Sequence, residues 1–216
     1  MKKLVLGIGI LATSMAFAQT SEIGYGAKAG MNVSSVSGDN SGWSSKNNKI
    51  GYYAGVFMNV PVAEKFSIQP EVLYNNLGNK FETTVAGTKV SVSNHMNYIS
   101  VPVMAQYNIT EGLYVEAGPQ FNFLVGQNYK VGGIDNATLS GIADSVVRST
   151  LPGKDFYKTF DFGLGVGLGY KFYKNMGINA RYVGGLTNNF KTDYTNIVKD
   201  AQFKNNAFQV GLTLGF

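Results

Sequence analysis

From Phe208 to the last residue the chain alternates without a break. Phe208, Val210, Leu212, Leu214 and Phe216 fall on one face of an extended strand, and Gln209, Gly211, Thr213 and Gly215 fall on the other. Strand side chains point to opposite faces with a period of two, so this segment has one greasy side and one small, polar side. An apolar strand face must be buried against protein or against lipid, and repetition of the pattern along a chain leaves few folds open.

Seven earlier segments repeat it: 23–33, 50–60, 66–77, 98–107, 113–125, 160–172 and 176–187. In the second, Ile50, Tyr52, Ala54, Val56, Met58 and Val60 share a face; in the sixth, Phe162, Leu164, Val166, Leu168, Tyr170 and Phe172 do. Each is close to the ~9–11 residues that a tilted strand needs to cross a bilayer. Connection lengths alternate as well. Short turns near 61–65, 108–112 and 173–175 are interleaved with longer stretches at 34–48, 78–94, 126–159 and 188–206. Short periplasmic turns against long outer loops is the asymmetry of outer-membrane barrels. The expectation is an all-β fold: an eight-stranded antiparallel transmembrane β-barrel with both termini in the periplasm.

Both ends of the chain fit an exported protein. Lys2 and Lys3 precede a mostly apolar run from Leu4 to Met15, and Ala16-Phe17-Ala18 forms a small-x-small cleavage site. The expectation is a signal peptide over 1–18 and a barrel domain over 19–216. The C-terminal strand, with Gln209, Gly211, Leu214 and the final Phe216, resembles the signal read by the outer-membrane barrel assembly machinery. No segment after the leader offers a continuous apolar run long enough for a membrane helix. Cysteine is absent, so no disulfide framework is available in the exported context. Removing Lys2 and Lys3 from the 18 basic residues leaves 16 against 13 acidic ones, a balance of +3 that gives no reason to expect nucleic-acid binding.

Three residues strain this picture. Pro70, Pro102 and Pro119 fall inside strands and remove ladder donors that lipid cannot replace, so local bulges or missing pairings are expected toward the periplasmic end. Segments 81–85 and 88–92 flank Ala86-Gly87 and predict a hairpin that carries strands three and four beyond the membrane. Ile142 to Arg148 predicts a short helix in the mouth.

The faces opposite the greasy ones are rich in glycine and hold most of the strand charges. Eight strands leave an interior only wide enough for side chains to fill it, so inward glycines are expected to make room for large side chains from opposite walls. Glu71, Glu116 and Arg181 point inward at nearby levels, with Lys28, Asp161 and Lys171 as further members. A buried charge is costly unless paired and hydrogen-bonded, which predicts an internal ion-pair network centred on Arg181. The paired carboxylates are read as its counter-charges and not as acid–base catalysts.

At these residues a family resemblance becomes specific. Gly51-Tyr52-Tyr53-Ala54-Gly55-Val56-Phe57, then Ser67-Ile68-Gln69-Pro70-Glu71-Val72-Leu73-Tyr74, resemble the outer membrane protein beta-barrel domain family, often labelled porin family and similar to PorT-like barrels. Ile99-Ser100-Val101-Pro102, Ala117-Gly118-Pro119, Asp161-Phe162-Gly163-Leu164-Gly165 and Arg181-Tyr182-Val183-Gly184-Gly185-Leu186 continue it in order. The resemblance implies the fold and the outer membrane. Ser100 departs from it, standing where an acidic residue is expected, which thins the interior network by one carboxylate.

Catalytic signals are weak. The one histidine, His95, has Ser91, Ser93 and Glu82 near it in sequence but no nucleophile elbow, and a triad is recognised by geometry. One His and no Cys argue against a metal, and no cofactor is expected. The glycines from Gly163 to Gly169 keep strict period two and are inward strand positions, not a phosphate loop. Trp43, Lys46, Lys49, Lys130, Arg148, Lys154, Lys158, Lys191, Lys199 and Lys204 are assigned to the outer rim, mixed with Asp39, Asp135, Asp144, Asp155, Asp193 and Asp200. Tyr52, Tyr74, Tyr107, Tyr170 and Tyr182 fit interfacial girdles. The expected partners are outer-membrane lipid, lipopolysaccharide and the assembly machinery, with a monomeric barrel. The expected role is structural or interactive at the cell surface, or accessory to export. The alternatives are a narrow porin and, behind it, a lipid A-modifying enzyme.

Overall fold

Side-chain alternation dictates what forms. The structure, a computed structural model, describes residues 23–37, 46–85, 88–132, 158–173, 175–187 and 204–216. Eight strands follow one another: β1 (Gly24–Ser37), β2 (Lys46–Ala63), β3 (Phe66–Val85), β4 (Thr88–Asn108), β5 (Leu113–Gly132), β6 (Phe160–Tyr173), β7 (Met176–Gly185) and β8 (Lys204–Gly215). Each pairs antiparallel with its sequence neighbours, and β1 pairs with β8 from Gly26↔Gly215 to Ser37↔Lys204, closing the sheet. Closure removes the unpaired edges that lipid could not satisfy. The turn end of the barrel holds the three short connections and Phe216, whose N–H donates to the Tyr25 carbonyl at 2.8 Å. The opposite end is the loop end.

The apolar faces read from sequence point outward. Val56, Val166 and Leu212 are 57%, 56% and 54% exposed in a wall of exposed apolar side chains that water would penalise and hydrocarbon would not. Aromatic rings bracket this wall. Phe66 and Tyr107 pack at 4.8 Å toward the turn end, while Tyr52 with Tyr74 and Phe123 with Phe160 pack toward the loop end. At ~3.3 Å per residue and a ~40° tilt, Phe66 and Tyr74 on β3 lie about 20 Å apart along the axis, close to the ~25 Å apolar band of such barrels.

Strands β3 and β4 run on past this band as a hairpin from Val85↔Thr88 downward. The prolines do not bend the barrel. Pairing is interrupted for a short interval in each ladder, around Pro70, Pro102 and Pro119 in turn, and register resumes unshifted. The bulges lie elsewhere, between Asn48 and Tyr53 on β2, Asn97 and Tyr98 on β4, and near the turns at Pro61 and Lys171. The missing N–H of proline costs one ladder bond, whereas a register shift would turn every later side chain to the wrong face. The expected helix at 142–148, Trp43, Arg148, Lys154, Lys191, Lys199, the rim aspartates and the leader lie outside the described residues.

Candidate functional site

The interior divides into two storeys. Toward the turn end, β1, β3, β5 and β7 each send one charged side chain to a common level: Lys28, Glu71, Glu116 and Arg181, all buried. Arg181 is 1% exposed and fills the axis. Its Nη1 and Nη2 donate to Glu71 Oε2 and Oε1 at 2.9 and 2.7 Å, and its Nε donates to Glu116 Oε1 at 2.7 Å. Lys28 Nζ donates to Glu71 Oε1 at 2.8 Å. Two cations meet two carboxylates, so the cluster is neutral within itself. A forked guanidinium holding two carboxylates from different strands is the geometry in which a buried ion pair best offsets its desolvation.

Amides complete this storey. Gln69 Nε2 donates to Glu71 Oε1 at 2.8 Å, and Gln106 Nε2 donates to Glu116 Oε2 at 3.1 Å. Asn59 then donates to Ser67, Gln69 and Gln106 together, tying both carboxylates' partners from beneath. These polar residues carry no sequence signal beyond an inward parity.

The glycines do make room, though not across the lumen. Tyr53 pairs with Gly30 and covers Gly211; a Cβ on Gly211 would lie 2.2 Å from its hydroxyl. Tyr114 pairs with Gly169, where a Cβ would lie 2.2 Å from its ring. Each aromatic ring lies flat on the bare backbone of nearby strands, because a neighbour's Cα is only about 5 Å away whereas the opposite wall is beyond reach.

Toward the loop end the filling changes character. Gln209 donates to Asn75 at 3.0 Å and Asn75 donates to Ser100 at 2.9 Å, so neutral amides span the lumen where Ser100 stands. Above them Leu77, Met96, Tyr98, Leu124 and Ala207 form a buried apolar cluster. Asp161 belongs here and not to the charged cluster: Thr187 donates to its Oδ1 at 2.6 Å and Asn205 to its Oδ2 at 3.3 Å. Lys171 also stands apart, exposed at the turn end with Nζ 5.9 Å from the Tyr114 ring centroid. Thus Lys28, Glu71, Glu116 and Arg181 are brought together, and Asp161 and Lys171 are not.

His95 sits on the outer wall of β4, opposite Gly78 on β3 and Asn128 on β5. Among the described residues no hydrogen bond joins it to a serine hydroxyl or a carboxylate, and no group of three His, Cys, Asp or Glu side chains could hold a metal ion. Lys46, Lys49, Lys130 and Lys204, assigned to loops from sequence, lie on β2, β5 and β8.

With this geometry in hand the comparisons are informative. The neisserial surface protein A (NspA) structure matches at 11% identity over 91% of this chain and 100% of its own, with a TM-score of 0.50. Ail, the attachment invasion locus protein of Yersinia pestis, matches at 13% identity over 91% and 100%, with a TM-score of 0.46. At such identities the likeness concerns the fold alone. No curated protein matches the chain. The family model described as outer membrane protein beta-barrel domain matches residues 17–191, well over half of the chain. A closed eight-stranded barrel with a lipid-facing apolar wall, matched over that length, makes this chain a member of the outer membrane protein beta-barrel domain family.

Proposed function

We propose that this protein is a closed, self-filled outer-membrane barrel whose work is structural or interactive, performed at its surface and not through its lumen. The observation that carries the reading is Arg181, which reaches from β7 to carboxylates on β3 and β5 and occupies the axis with its neutral cluster. A conducting lumen needs a continuous polar path, and here the charged storey is capped by amides and then by an apolar cluster. The same reading takes residues 1–18 as a cleaved leader and places the turn end in the periplasm. Gln209, Gly211, Leu214 and Phe216 serve as the assembly signal of a monomer. An accessory role in export at the surface fits this plan. Catalysis is not part of it, because among the described residues no hydrogen bond joins His95 to the nearby Ser93 hydroxyl or to a carboxylate, and a triad needs both.

Osmotic swelling of vesicles holding the refolded mature chain tests the proposal. With a small sugar outside, the vesicles should swell no faster than empty ones. Swelling that scales with protein content would instead establish the narrow porin.

A further inference from the structure

A second polar assembly lies on the outside of the wall, just past the loop-end edge of the apolar band. Outward-facing residues of β3, β4 and β5 stack in rows above the loop-end aromatic ring. Tyr74, Ile99 and Phe123 form the ring row; Asn76, Asn97 and Gly126 the next; Gly78, His95 and Asn128 the third; Lys80, Ser93 and Lys130 the fourth. None of these four rows holds an Asp or Glu; Glu82 stands in the row beyond, opposite Ser91. Simple alternation from Phe121, Phe123 and Val125, which face out, would turn Lys130 inward; the irregularity opposite Asn97 shifts the count, so that Tyr129 faces in and Lys130 out. The bulge therefore moves a cation onto the outer wall just above the apolar band.

A groove of about 450 Å³ runs along this wall. One end is apolar, with Met31, Ile50, Tyr52 and Tyr74; the other holds His95, Asn97, Asn128 and Lys130. Lys49 stands behind it. Its ammonium is buried and donates to Asn76 Oδ1 and the Leu77 carbonyl, and Asn76 in turn donates to Asn97 in the groove. The Lys49 stem packs 3.3 Å from where a Cβ on Gly78 would stand, so the side chain threads the break between β2 and β3 toward the row of His95. Among the described residues Lys49 has no carboxylate partner, whereas Lys28, deeper in the interior, has Glu71.

We propose that this groove binds a phosphate-bearing lipid headgroup of the outer leaflet, with its acyl chains against Met31, Ile50 and Tyr52 and its phosphate at Lys130, Asn128 and His95, backed by the charge of Lys49. The apolar floor at the level of the ring and the basic end just above it reproduce the order of tail and head in a lipid. Charge-assisted bonds to phosphate oxygens supply the anion that the buried ammonium lacks. This rests on the reading that the loop end faces the cell exterior.

The test is native mass spectrometry of the refolded mature chain in detergent with diphosphoryl lipid A, the same lipid stripped of phosphate, and inorganic phosphate. Wild-type protein should retain one diphosphoryl lipid A at least tenfold more tightly than the stripped lipid. Lys130→Gln, an exposed change that leaves the interior alone, should lose most of that preference, and Lys49→Met the rest. Lys171→Gln, which removes one charge at the turn end, should change nothing. Equal retention of stripped and phosphorylated lipid, or an unaltered Lys130→Gln variant, would overturn the proposal. Displacement of the lipid by millimolar inorganic phosphate would reassign the groove to the free anion. Vesicle swelling reads the closed lumen separately: lipid A held by a leaky barrel would remove the functional reading and keep the groove.

Discussion

The two storeys of the interior solve one problem in different ways. Both must fill a lumen too narrow for bulk water while leaving few buried polar atoms unpaired, Asn32 Oδ1 and Gln120 Oε1 being two that are. The turn-end storey does it with four charges that cancel, drawn from β1, β3, β5 and β7. The loop-end storey does it with amides, one carboxylate held by hydroxyl and amide donors, and apolar side chains. Charges demand partners and so commit distant strands to one arrangement. Amides and apolar groups tolerate loss more locally. The turn-end storey should therefore hold the barrel together, and the loop-end storey should close it.

The largest test of that difference is Arg181→Met, which leaves Glu71 and Glu116 facing each other in a dry interior with only Lys28 near. Urea unfolding in lipid vesicles should show a loss of about 3–5 kcal/mol, the usual cost of breaking a buried pair from one side. A variant within 1 kcal/mol of wild type would erase the distinction between storeys. Next in size is Asn75→Ala, which strands the amide of Gln209 and the hydroxyl of Ser100. The same titration should register about 1–3 kcal/mol, the penalty of a buried polar group left unpaired. A larger loss than that of Arg181→Met would invert the comparison. Smallest is Asp161→Asn, which keeps a side-chain oxygen to accept from Thr187 or Asn205 and removes a charge that no cation answers among the described residues. Its unfolding midpoint should stay within about 1 kcal/mol of wild type, since surviving neutral hydrogen bonds differ little in net worth. A loss as large as that at Arg181 would mean the loop-end storey is also electrostatic.

Much of this was legible in residue order. Period-two alternation assigned nearly the whole outward wall from Tyr25 to Leu214, with Val60 buried where an exposed residue was expected, because lipid and lumen select opposite chemistries at each step. It also brought Lys28, Glu71, Glu116 and Arg181 to the inner face, since few other inward positions carry charge. The height of each side chain is a different matter. Asp161 and Lys171 share β6 with the inward glycines, yet one sits near the loop end and the other at the turn end, and alternation reports face without level. Strand stagger fixes level, and stagger depends on bulges such as the one opposite Asn97 that leave no distinct mark in the residues. For the same reason Lys49 and Lys130 read as rim lysines when they stand on strands beside a membrane-facing groove. The prolines were legible too: of the expected bulges or missing pairings, missing pairings occur, because a lost donor interrupts the ladder without shifting register, so Pro70, Pro102 and Pro119 leave the faces intact.

Single-channel recording of refolded residues 19–216 in a planar bilayer tests the central claim most directly, with insertion established independently by heat-modifiable mobility. A filled interior predicts a silent bilayer at moderate voltage for the wild-type chain. Discrete, reproducible current steps from the wild type would contradict it, because ions cannot pass an axis occupied by Arg181 and its two carboxylates.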